Sequence, residues 1–170
     1  MKYLACIFTL IGFLGNGVWY YRSLRKKYLE KVYLMKLFEL LKQETIVTKA
    51  SFPSVCLDCS RRMKSGYKEI FEHFAKELNR GEGELKVLWD ELVLNIAKQA
   101  GLDKEEQLIL KQMIPENSFG LGFSFSDSIS LTLSDWEMRI HDAKEEMKRN
   151  GKVAVTLNLS AGFILCLIVW

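Results

Sequence analysis

The sequence predicts an all-α fold: a cytoplasmic six-helix bundle between an N-terminal and a C-terminal transmembrane helix. Two stretches without charged residues, 3–21 and 153–170, are each long enough to cross the hydrocarbon core of a bilayer as a helix. Between them, apolar residues recur every three or four positions, the period of an amphipathic helix. The predicted parts are an N-terminal transmembrane helix, a cytoplasmic bundle and a C-terminal transmembrane helix, at residues 1–21, 22–152 and 153–170.

Basic residues beside the two apolar stretches predict the orientation in the membrane. Only Lys2 lies on the outer side of either stretch. Loops rich in lysine and arginine stay in the cytoplasm, so we expect the middle of the chain there and both ends across the membrane. The basic residues expected at the membrane interface are Arg22, Arg25, Lys26, Lys27, Lys148, Arg149 and Lys152.

A cleaved signal peptide is the alternative interpretation of the first apolar stretch. Lys2 and the apolar run after it resemble the charged and apolar regions of such a peptide, and Gly15 and Gly17 would offer a poor cleavage site. The basic cluster directly after the run opposes export. A C-terminal helix would in any case still anchor the product.

Proline, glycine and capping residues divide the middle segment into helices. Phe52-Pro53 ends the first, Gly81 and Gly101 follow the third and the fourth, and Asp103 with Glu106 resembles a capping box that opens the fifth. We expect the first helix to continue directly from the membrane stretch. The first five predicted helices span 22–50, Pro53 or Ser54 to about Met63, 67–78, 84–100 and 103–114.

The sixth helix has the most regular apolar pattern. Its apolar residues alternate steps of four and three, as in a coiled-coil seam, so it should pack antiparallel along the long first helix. The seam residues are Ile129, Leu133, Trp136, Ile140, Ala143 and Met147.

Small and polar residues at helical spacing predict close packing of the two transmembrane helices. In an antiparallel pair Asn16 and Asn158 would lie at the same depth, so their amides are predicted to hydrogen-bond across the interface. Alternatively, each asparagine faces another subunit or a lipid headgroup. The predicted packing residues are Ala5, Thr9, Gly12, Asn16, Ala154, Asn158 and Gly162.

No sequence pattern predicts an enzyme, and we expect no catalytic, cofactor-binding or metal-binding residues. Cys56 and Cys59 form a lone C-x-x-C pair, which is half of a zinc site at most; a redox or zinc-dependent role for this pair is the open alternative. His73 and His141 lie on charged helix faces, where we expect them to be solvated.

The charges of the middle segment almost cancel. It holds all 21 acidic residues and every basic residue except Lys2, and the whole chain carries a net charge of only +3. A nucleic-acid surface needs a marked excess of basic residues, so we expect no nucleic-acid partner.

One loop, residues 115–127, combines glycines and serines with Phe119, Phe123 and Phe125. These rings would serve as aromatic anchors for a partner. Alternatively, they cover the end of the bundle while the glycines permit the turn. The sequence leaves both interpretations open.

Several short patterns follow one another along nearly the whole chain. They are Leu41-Lys-Gln-Glu44-Thr-Ile, Phe71-x-x-Phe74-Ala-x-x-Leu78, Trp89, Leu121-Gly122 before Asp127, Trp136-Glu137 and Ala161-Gly162. Together with the N-terminal apolar stretch and the basic start of the long helix, this order resembles the stage III sporulation protein AB family.

The resemblance implies a non-catalytic platform component of the sporulation channel, a secretion-like complex that joins mother cell and forespore. It implies a two-pass protein of the forespore outer membrane, with its bundle facing the mother-cell cytoplasm. The bundle would be similar to the six-helix domains of type II secretion and type IV pilus platform proteins, and would dock the assembly's cytoplasmic ATPase and other channel proteins. A homo-oligomer is compatible with this arrangement. The alternative is a membrane-anchored helical scaffold or regulator unrelated to sporulation.

Overall fold

The computed structural model describes the backbone of residues 2–48, 50–81, 83–114 and 125–169, and the side chains of 7–48, 50–81, 83–114, 127–165 and 167. These residues form six α-helices and no strand, which confirms the all-α prediction. The helices are α1 (Lys2–Thr48), α2 (Phe52–Ser60), α3 (Tyr67–Arg80), α4 (Leu85–Ala100), α5 (Lys104–Lys111) and α6 (Phe125–Val169).

The helix ends follow local chemistry. Gly81 and Gly101 adopt left-handed φ angles of 71° and 67° directly after α3 and α4, a conformation that glycine adopts without steric cost. The predicted capping box is confirmed: the Glu106 amide donates to Asp103 Oδ1 at 2.9 Å, and the Asp103 amide donates to Glu106 Oε2 at 3.1 Å.

Two helices end earlier than predicted. Helix α2 ends at Ser60 rather than near Met63, because the amides of Arg62 and Met63 bond three residues back and form turns. Helix α5 ends at Lys111 rather than Ile114 for the same reason: the Met113 amide donates to the Leu110 carbonyl. Such bonds tighten the last turn and stop α-helical propagation.

The chain forms two compact units, one of residues 1–30 with 140–170 and one of residues 31–139. We call the first the hairpin unit and the second the bundle unit. The boundaries predicted at 21/22 and 152/153 concern the membrane and stay predictions.

The bundle unit has one apolar core to which all six helices contribute. Trp89 and Trp136 are both fully buried, and their indole N–H groups donate to the carbonyls of Leu110 and Lys31 at 2.9 and 3.0 Å. The Trp136 bond confirms that α6 packs on α1, as its seam predicted. Other residues of this core are Leu34, Phe38, Leu41, Val55, Tyr67, Phe71, Phe74, Leu92, Ile96, Leu110, Met113, Ile114, Ile129 and Leu133.

The two predicted transmembrane helices are not confirmed. In the parts of the chain that the structure describes, no helix offers a segment of the length and apolarity needed to span a membrane.

Candidate interaction surfaces

Glycines mediate the helix contact in the hairpin unit. A Cβ on Gly17 would lie 3.2 Å from Val155 Cα, and one on Gly162 would lie 3.1 Å from Leu10 Cδ2. A Cβ on Gly151 would lie only 2.5 Å from the Tyr21 ring. From Gly151 to Gly162 along α6, the contacting residue of α1 moves back from Tyr21 to Leu10, so the two helices are antiparallel. They approach closely at the glycines, which have no side chain.

The predicted packing residues divide between this interface and the surface. Ala154 and Asn158 lie against Gly17, and Gly162 packs on Leu10. Gly12, by contrast, has open space at its Cβ position, and Asn16 is exposed. Thr9 is half-buried, and the side chain of Ala5 lies outside the described residues.

Asn158 makes a local hydrogen bond rather than the predicted one to Asn16. Its Nδ2 donates to the Ala154 carbonyl one turn earlier in α6, at 2.8 Å. The contact surface of α1 runs through Leu10, Phe13 and Gly17. This surface is rotated by one residue from the predicted stripe, which turns Asn16 outward.

The sequence pattern did not predict that Gly17 and Gly151 lie in the helix interface. Gly17 directly follows Asn16, and the predicted stripe of small or polar residues, with steps of four, three and four, contains the asparagine instead. Gly151 lies among charged residues and so falls outside the apolar stretch. The useful signal for Gly17 was its spacing from the large residues Leu10 and Phe13, which share its helix face.

An open groove of about 370 Å³ lies on the outward face of α1 in the hairpin unit. Its lining is largely apolar, with two polar side chains among aromatic ones. The lining residues are Phe8, Thr9, Gly12, Phe13 and Asn16.

Large apolar side chains cover much of the hairpin surface. Phe8 is 73% exposed, Trp19 is 70% exposed and Leu167 is 77% exposed. Monomers rarely expose contiguous apolar patches of more than a few hundred Å² to water. The other exposed large apolar residues described in this unit are Ile7, Ile11, Leu14, Val18, Tyr20, Tyr21, Leu29, Val153, Leu157, Leu159, Phe163, Ile164 and Leu165.

The seven basic residues predicted at the interface all belong to the hairpin unit, and all are exposed. We call this set the basic band. Tyr21 lies against Gly151, so Arg22 of α1 and Lys152 of α6 lie beside one contact although 130 positions separate them in the sequence. The structure thus brings the two predicted basic clusters to one level of the hairpin.

A buried ion pair joins α1 to α5 in the bundle unit. Lys31 Nζ pairs with Glu106 Oε1, and the two side chains are only 16% and 2% exposed. The second Glu106 oxygen accepts the Asp103 amide of the capping box, and the Lys31 carbonyl accepts the Trp136 indole. One residue pair therefore connects three helices. The sequence did not predict this ion pair, because Lys31 and Glu106 are 75 positions apart.

A polar groove of about 320 Å³ lies between α1 and α6 in the bundle unit. Its carboxylates, ammonium, amide and hydroxyls can donate and accept hydrogen bonds with a polar partner surface. The lining residues are Glu39, Lys42, Gln43, Ser130, Leu133, Ser134 and Glu137.

The two cysteines of the C-x-x-C pair have the environment of inert core thiols. Cys56 is fully buried and Cys59 is 1% exposed. Burial raises the pKa of Cys56, with Cys59 as a further cause, and burial followed by the nearby Glu44 carboxylate raises the pKa of Cys59 to about 11. Reactive cysteines require a lowered pKa, so this arrangement disfavours thiolate chemistry.

Other predicted features give no chemical site. His73 and His141 are exposed, as expected. Within the described side chains, no three His, Cys, Asp or Glu residues cluster as a metal ion would need. The aromatic loop at 115–124 lies outside the described residues, as does the side chain of Phe125.

Comparison with known proteins identifies the family. The family model described as stage III sporulation protein AB matches residues 2–170. This chain belongs to that family. Stage III sporulation protein AB of Bacillus subtilis (strain 168) is 24% identical over 110 residues, or 65% of this chain and 64% of that protein. The chain thus spans just under two thirds of this relative, and none of the solved structures matches it.

Membership of the stage III sporulation protein AB family supports a role in sporulation and confirms the resemblance seen in the sequence. The family is not a known enzyme family.

Proposed function

We propose that the chain is a membrane-anchored, non-catalytic platform component of a sporulation complex. Its hairpin unit inserts in the forespore outer membrane with two passes, and its bundle unit faces the mother-cell cytoplasm. There the bundle docks the assembly's cytoplasmic ATPase, while the membrane helices contact channel proteins.

The exposed apolar surface of the hairpin is the observation that carries the membrane part. Both helices present it, from Ile7 to Tyr21 on α1 and from Val153 to Leu167 on α6, and a basic band follows at its end. A bilayer solvates such a surface, and lysines and arginines mark the cytoplasmic side.

The docking part rests on the sporulation family and on the surface of the bundle unit. Leu131 and Met138 of α6 are 73% and 63% exposed, and Val87 and Leu94 of α4 are 60% and 43% exposed. Each pair is seven residues apart and so lies on one helix face. Exposed apolar side chains of this kind are suitable anchors for a protein partner.

Retention of the assembly's cytoplasmic ATPase by the full chain in nanodiscs tests the docking proposal. We expect the ATPase to co-elute with nanodiscs that contain the chain. One of the two double variants, Leu131→Glu/Met138→Glu or Val87→Glu/Leu94→Glu, should reduce the amount of ATPase that co-elutes. The pair that has no effect serves as the matched control for the other. Absence of co-elution, with the near-UV circular dichroism of the bundle intact, would refute docking.

A further inference from the structure

We infer that the basic band is a binding surface for the phosphate-bearing headgroups of anionic phospholipids. The inference rests on the proposed membrane insertion of the hairpin unit and extends it, because insertion alone does not require any particular lipid.

The position of the band is the first argument. Tyr20 and Tyr21 end the exposed apolar surface of α1 and are 40% and 37% exposed, and Arg22 follows them directly. On α6, Lys152 directly precedes Val153, which is 50% exposed. The band thus borders the apolar surface on both helices, where lipid headgroups lie when the hairpin is inserted.

The convergence of the two helices is the second argument. The Tyr21 ring occupies the space that a side chain at position 151 would fill. This contact aligns the segments 22–27 and 148–152, so the cations of both segments surround the same level of the hairpin. A single cluster on one helix would present only about half of this charge.

The distribution of charge is the third argument. Segments 22–27 and 148–152 contain seven basic residues and no acidic one, whereas the whole chain has a net charge of only +3. Acidic residues begin farther from the apolar surface, at Glu30 and Glu146. Among the ion pairs of the described residues, Lys148 is the one band member with a carboxylate partner, Glu145 at 3.0 Å. The positive field is therefore concentrated at the border of the apolar surface.

The side-chain chemistry favours phosphate. Arginine presents paired N–H donors that match two phosphate oxygens, and lysine adds mobile point charges. Each basic residue near an anionic membrane surface strengthens binding by a factor of about five, and the effect decays within a Debye length. Arg22, Arg25 and Arg149 are the members suited to bidentate contacts.

Lipid retention by the full chain tests this inference. The chain is reconstituted in vesicles of phosphatidylcholine with a minor fraction of phosphatidylglycerol, and the lipids that stay bound on mild extraction are measured by native mass spectrometry. We expect phosphatidylglycerol to be enriched about fivefold or more over its ratio in the vesicle. The enrichment should fall with added salt, because mobile ions screen exposed charges.

A matched pair of variants separates the band from net charge. Arg22→Gln/Arg25→Gln/Lys26→Gln/Lys27→Gln should abolish most of the enrichment. The control replaces two arginines and two lysines that are also exposed, at Lys36, Arg61, Arg80 and Lys98 of the bundle unit, by glutamine and should retain the enrichment. Equal losses in both variants would overturn the inference, as would competition by inorganic phosphate at the same concentration as the lipid.

Flotation separates this inference from the proposed function. If the wild-type chain floats with pure phosphatidylcholine vesicles but shows no enrichment of phosphatidylglycerol, the lipid-binding inference fails and insertion stands. If the chain floats with no vesicle of either composition, membrane insertion fails and the inference fails with it.

Discussion

The buried pair between Lys31 and Glu106 should dominate the electrostatic stability of the bundle unit. Glu106→Gln keeps the size of the side chain and an acceptor for the Asp103 amide, but removes the charge that balances Lys31. Breaking a buried pair by removing one partner costs about 3 to 5 kcal/mol. We expect about 3 kcal/mol here, because Lys31 is 16% exposed and its flexible side chain can turn toward water.

A double-mutant cycle isolates the interaction. Lys31→Met should also cost about 3 kcal/mol, since it leaves the Glu106 carboxylate unpaired at 2% exposure. The double variant Lys31→Met/Glu106→Gln should cost no more than either single change, which gives a coupling energy of about 3 kcal/mol. The control is the exposed pair Arg80 and Glu77 within α3, whose coupling should stay below about 1 kcal/mol.

Urea unfolding of the full chain in detergent micelles measures these energies. Near-UV circular dichroism reports the buried Trp89 and Trp136, and urea is preferred to guanidinium because it does not screen charges. If the costs of the two single variants simply add in the double variant, the pair does not form in solution. The packing of α5 on α1 at this position would then be wrong.

Two further predictions concern the hairpin interface and the core thiols. Gly17→Leu should speed hydrogen exchange in peptides covering 7–21 and 153–165, because the new Cβ would lie 3.2 Å from Val155 Cα. The control variant Gly12→Leu places its side chain in open space and should leave the exchange rates unchanged. Equal effects of the two variants would contradict the interface. Burial raises the pKa of Cys59 in the folded protein to about 11, from about 9 in the unfolded chain. The protonated thiol therefore adds to the free energy of unfolding in full below pH 9, and this contribution is lost as the pH rises toward about 11. Urea unfolding should therefore show a steeper loss of stability over this pH range for the wild type than for Cys56→Ala/Cys59→Ala, and parallel profiles would contradict the buried environment.

Local signals were sufficient to predict most of the helices. Asp103 and Glu106 satisfy each other's backbone amides, and Gly81 and Gly101 end helices through their own conformations, so these features depend on near neighbours alone. The seam of α6 predicted its partner because Ile129, Leu133 and Trp136 share one face, and all three are buried.

Features that depend on contacts distant in the sequence could not be predicted in the same way. The role of Glu106 as a capping residue was visible, but its pairing with Lys31 depends on how α5 packs on α1. The rotation that brings Gly17 rather than Asn16 to the interface is a shift of one residue, or about 100° around a helix. Small-residue spacing alone does not resolve such a shift, because neighbouring stripes both contain small residues.

Water accessibility at two equally exposed positions tests the central claim that a bilayer covers the hairpin. Ile11 in the hairpin unit and Val87 in the bundle unit are each 60% exposed. In a background with the four native cysteines replaced by alanine, Ile11→Cys and Val87→Cys are reacted with a water-soluble maleimide after reconstitution in vesicles made permeable to the reagent. We predict rapid labelling at position 87 and almost none at position 11. Equal labelling rates at the two positions would show that water, and not lipid, surrounds the hairpin.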